Sequence, residues 1–76
     1  MRRDTQTRID GAERLLHGID PAKLAEEQAE QNLLTIQSFL SKAKDALSAR
    51  DVQRAFTLAD KALLLADELS RTLSSR

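Results

Sequence analysis

Apolar residues recur through the second half of the chain at alternating spacings of three and four. Val52, Ala55, Ala59, Ala62, Ala66, Leu69 and Leu73 form one such series, and on a helix this spacing lies along a single stripe. Four of the seven are alanine. Such small side chains let a neighbouring helix approach toward the short end of the roughly 8–10 Å range of interaxial distances. Phe56, Leu63, Leu58 and Leu65 flank the stripe. The apolar face is therefore wider than a two-stranded seam requires, which predicts contact with more than one helix. A second series runs backward through Leu47, Ala43, Leu40, Ile36, Leu33 and Ala29, with Phe39 beside it and Lys42, Lys44 and Asp45 largely off it.

The two series meet at Ala49, Arg50 and Asp51. Asp51 is a natural N-cap, because its carboxylate can accept from the free N–H of Gln53 or Arg54 in the first turn. About two residues then separate the helices, a connection that forces them to be antiparallel neighbours. Upstream, Ile9, Ala12, Leu16 and Ile19 make a narrow stripe with Leu15 alongside, and Asp4 or Thr5 can cap a helix there. Gly11 lies inside it at a cost of about 1 kcal/mol relative to alanine. Gly18 suits a helix C′ position, and Asp20-Pro21 reads as a restart, with Asp20 as N-cap and Pro21 as the first helical residue. Helices are predicted at about 5–17, 21–49 and 52–74, the second roughly 43 Å long at 1.5 Å per residue. Its first turns carry Glu26, Glu27 and Glu30, which complement the positive end of the helix dipole.

The expected fold is all-α, a single domain over 1–76. A long antiparallel helical hairpin takes a short N-terminal helix as its third member, giving a three-helix bundle that dimerisation would complete. A first helix of half the length of the second covers the end of the hairpin that holds residues 22–36 and 62–73, and falls short of the corner. Phe39, Leu40, Leu47, Phe56 and Leu63 are then candidates for contact with another helix. So is Leu64, which stands among Asp60, Lys61, Asp67, Glu68 and Arg71. Exposed apolar patches of this kind mark interaction surfaces, so self-association or docking of a partner helix is the leading functional expectation.

Composition narrows the field. A chain of 76 residues holds one small core and gains from oligomerisation or a staple. There is no cysteine, hence neither a disulfide nor a thiolate metal site. Twelve basic residues balance twelve acidic ones, so no net field draws the chain to DNA or to an anionic membrane. Hydrophobic residues make up 41%, which with this periodicity argues against disorder. The start, Met1 to Arg3, is charged, and no apolar run is long enough to span a membrane. The expectation is a soluble chain without signal peptide or membrane insertion, although a piece cut from a longer secreted protein would read the same.

Catalytic apparatus is hard to find. His17 is the single histidine and stands near a helix end, where it suits the negative end of the dipole. Glu27 and Glu30 form an E-x-x-E pair, but a di-iron bundle needs E-x-x-H and further carboxylates on facing helices. Serines and threonines lack an adjacent base, and no glycine-rich phosphate loop is present. An enzyme, a metal site and a cofactor are not expected. Lys42, Lys44, Arg50 and Arg54 gather near the corner as a basic end, which gives the alternative of a small nucleic-acid or acidic-ligand binder. Asp45 and Asp51 stand among them, and there is no tyrosine or tryptophan for stacking, so nucleic acid is the less favoured partner.

Two resemblances attach to the hairpin. Asp51, Val52, Ala55, Ala62 and Leu63 are similar to the second helix of a tetratricopeptide repeat, with Phe39 and Ala43 suiting the first. Arg50 stands where that repeat usually has glycine, Ala46 where it has a large aromatic, and Asp67 where it often has proline. More of the chain, about residues 11–70, resembles an uncharacterised alanine-rich helical-hairpin family of bacterial envelope proteins and lipoproteins, through GAERLL, DPAKL and SKAKDALSARDVQRAFTLADKALLLADEL. That resemblance implies a scaffolding or interaction role in the envelope or periplasm for a chain cut from a longer protein. Without it the expected compartment is the cytoplasm.

Overall fold

The alanine stripe ends up at the centre of the molecule. The computed structural model describes residues 2–19, 22 and 27–74, which form α1 (Arg2–His17), α2 (Glu27–Ser48) and α3 (Val52–Ser74). Both α1 and α2 pack along α3 and touch each other only lightly. Ala55, Ala59, Ala62 and Ala66 of α3 are wholly buried. Ile9 and Ala12 of α1 join Ile36, Leu40 and Ala43 of α2 in the same core cluster. The broad face of α3 thus has two partners, and its flanks divide between them. Leu63 meets Gly11 of α1, while Leu65 shares a hollow with Ile36 of α2.

Asp51 organises the corner twice over. Its N–H donates to the Ala46 carbonyl at 2.9 Å and the Arg50 N–H donates to the Leu47 carbonyl at 3.0 Å, the paired bonds of a Schellman ending. Its side-chain Oδ1 then accepts from the Arg54 N–H at 3.3 Å, and its carbonyl accepts the first bond of α3 from Ala55 at 3.0 Å. This is the expected N-cap, on the third residue of the helix. The turn requires a left-handed residue, and Arg50 supplies it with φ of 64°. A side chain in that conformation costs about 1–2 kcal/mol that glycine would not.

The first helix starts earlier than expected and ends at His17, as expected. It begins at Arg2 rather than near residue 5, so Asp4 and Thr5 lie inside its first turns instead of capping it. Thr5 is fully buried. Contrary to the expectation that it would fall short of the corner, α1 reaches as far as Phe56. Arg8 lies 4.5 Å above the Phe56 ring and pairs with Asp60 at 3.1 Å. The match of Arg8 to Asp60 and of Gly11 to Leu63 makes α1 parallel to α3. A Cβ on Gly11 would come within 3.3 Å of Leu63 Cδ1, so the glycine permits the close approach. At the other end Gly18 follows the helix without a left-handed φ, and its N–H simply continues the ladder to Arg14 at 3.1 Å. The restart at Asp20-Pro21 and the opening of the predicted second helix at 23–26 lie outside the described residues.

Candidate interaction surfaces

The contact candidates separate into three groups. Leu40 is a core residue, 6% exposed. It lies on the α2 stripe with Ile36 and Ala43 and faces α3, so it belongs to the bundle's own packing. Phe39, Leu47 and Leu63 are half-buried and pack against the core, and Phe56 is half-buried beneath Arg8. Two of these carry a cation on the ring, Arg8 over Phe56 at 4.5 Å and Lys61 over Phe39 at 5.5 Å from the centroid. Each such contact contributes about 0.5–1 kcal/mol at an exposed site. Leu64 alone of the six is largely open, at 59% exposure.

Leu34 is open to the same degree, 58%, and sequence reasoning assigned it no part. It sits two residues from the buried Ile36, which on a helix is roughly 200° of rotation and points it away from α3. The signal was present as a pair of adjacent leucines, Leu33 and Leu34, which cannot both face one core. A second signal lies around it. The stretch Gln31 to Ser41 contains no charged residue in a chain that is 32% charged. Its outward positions Gln31, Thr35, Ser38 and Ser41 are exposed and neutral.

The basic end is only partly a cluster. Lys42 and Arg54 line one concavity beside the corner, together with Asp45, Ala46, Ala49 and Asp51. Lys44 instead reaches α1 and pairs with Glu13 at 3.1 Å. Arg50 occupies the turn itself. Two carboxylates thus stand within the concavity, and a third takes up one of the four cations. Between α1 and α2, a shallow groove is lined by Glu13, Leu16, His17, Gln37, Leu40 and Lys44. His17 is exposed there at the end of α1. Among the described residues no three His, Cys, Asp or Glu side chains converge to hold a metal ion, and no helix is long and apolar enough to cross a membrane.

No protein-family model, curated protein or solved structure matches the chain.

Proposed function

We propose that the chain is a non-enzymatic interaction or scaffold module that self-associates through helix–helix contacts. The observation that carries this reading is the pair of outward leucines, Leu34 and Leu64, each more than half exposed on a molecule whose core is largely alanine. Burying a leucine is worth about 1.5–3 kcal/mol, so a small chain that leaves two of them in water holds back apolar surface it could use. Association of copies recovers that surface. A binder of nucleic acid or acidic ligands at the basic end has less support, because Asp45, Asp51 and Glu13 offset Lys42, Lys44 and Arg54.

Sedimentation equilibrium across micromolar concentrations tests the reading, on the wild-type chain and on a Leu34→Glu/Leu64→Glu variant. A concentration-dependent rise in mass that the variant lacks is the expected result. A wild-type chain that stays monomeric throughout the range contradicts self-association.

A further inference from the structure

The three helices are not held with equal strength. α2 and α3 are joined through residues 49–51, where the Schellman bonds and the Asp51 cap fix the turn. α1 is joined to α2 through the longer stretch 18–26 and touches that helix only lightly, so its place depends on α3. Of its 16 residues only Thr5, Ile9 and Ala12 are buried, whereas α3 buries Ala55, Ala59, Ala62, Ala66, Leu69 and Leu73. Gly11 lowers its helical propensity, and its short length leaves it marginal as a free helix. The stripe that α1 and α2 share on α3 is alanine, so lifting α1 away exposes less apolar area than a leucine seam would. Elements of this kind open before the rest of a domain does.

The seat that α1 leaves is specific. Arg8 pairs with Asp60 of α3 and Glu13 with Lys44 of α2, both at 3.1 Å. The four side chains are between 33% and 53% exposed, so the pairs set the register of α1 while contributing little to its hold. Their polarity is opposite, a cation of α1 toward α3 and an anion of α1 toward α2. Beneath them Gly11 meets Leu63 and Arg8 covers Phe56. None of these contacts depends on which copy of the chain α1 belongs to. The structure itself therefore shows what this seat accepts.

We infer that α1 is an exchangeable helix, which leaves the hairpin as a unit and docks in the same register on the hairpin of a second copy of this chain. Exchange of an identical element is a low-cost route to a dimer, because each seat regains the contacts that it lost. This contact goes beyond the association proposed above and does not need the outward leucines. Two full-length variants test it, Arg8→Glu/Glu13→Lys on α1 and Asp60→Lys/Lys44→Glu on the hairpin, with circular dichroism to verify that the helices of the hairpin are kept. Each variant retains the net charge of zero, so overall attraction between them plays no part. Alone, each sets like charges together at both pairs, and amide protection in α1 falls about tenfold while that of α2 and α3 stays. In an equimolar mixture the α1 of each variant suits only the hairpin of the other. Mixing then restores α1 protection and gives a 1:1 dimer in sedimentation. In wild type at millimolar concentration, with one copy isotope-labelled and the other not, a nuclear Overhauser effect between Gly11 and the Leu63 methyls crosses between copies. A mixture that stays monomeric with α1 unprotected overturns the exchange, as does a wild-type α1 whose amides open only with those of α2 and α3. A wild-type chain that associates while the mixture does not exchange leaves the outward leucines as the contact and removes this one. A mixture that exchanges while wild type does not associate through the leucines does the reverse.

Discussion

The inner face of α3 and the outer face of α2 use the same two residue types in opposite places. Inside, where burial would reward leucine, α3 presents Ala55, Ala59, Ala62 and Ala66, all without solvent exposure. Outside, where a polar side chain would serve a monomer, α2 presents Leu34 and α3 presents Leu64. The inner choice follows from having two neighbours. A helix flanked on both sides by others lets them close over it only if its central stripe is small, so Ile9 and Ile36 fill the space that larger α3 residues would have taken. The outer choice has no such explanation within one copy of the chain. One face is therefore shaped by packing within the bundle, and the other leaves two leucines open to solvent.

The contrast breaks most sharply at Ala59. Replacing it with leucine adds bulk where α3 has no free space, and Ala59→Leu should destabilise the bundle by about 1–3 kcal/mol, read as a lower urea midpoint. A compensating Leu34→Ala on the outer face should not restore it, because Leu34 is largely exposed and frees no space in the core. A midpoint for Ala59→Leu equal to that of wild type would remove the close-packed stripe from the account.

The corner holds the two faces in their relation, and it gives the next effects in size. Asp51→Ala deletes the cap on Arg54 N–H and should cost about 1 kcal/mol in thermal or chemical denaturation. The opposite sign is expected at Arg50, where φ of 64° burdens a side chain that glycine would not carry. Arg50→Gly should stabilise the chain by about 0.5–1 kcal/mol, the relief of the left-handed strain being partly offset by the greater freedom of glycine in the unfolded chain. A loss of stability on that substitution would mean that the arginine side chain contributes a contact larger than its strain.

The smallest effect on folding belongs to the outer leucines. Leu34→Ala and Leu64→Ala should each change the stability of the dilute monomer by less than about 0.5 kcal/mol, measured at concentrations below association. A larger cost for either would place that side chain in the monomer's own packing.

The hairpin was legible in the sequence because its signals are local or periodic. Spacings of three and four located both stripes, and Asp51 located the corner through the chemistry of a single cap. The flanks Phe56, Leu63, Leu58 and Leu65 also showed that α3 has more than one neighbour. What escaped depends on how helices sit against each other. The first helix begins at Arg2 and buries Thr5, and a threonine among arginines and aspartates gives no apolar period to read. Arg8 over Phe56 and Lys61 over Phe39 require the rotation and register of separate helices, so neither contact could be read from spacing. Leu34 was hidden by its neighbour Leu33, which by itself completes the stripe.

Methyl-resolved NMR of leucine-labelled protein, recorded from low micromolar to millimolar concentration, tests the contrast between the two faces most directly. The account predicts that the Leu34 methyl signals shift and broaden as concentration rises, while those of the buried Leu69 and Leu73 stay in place. Leu34 signals that do not change over the whole range would contradict it, since the outer leucine would then have no second copy to meet.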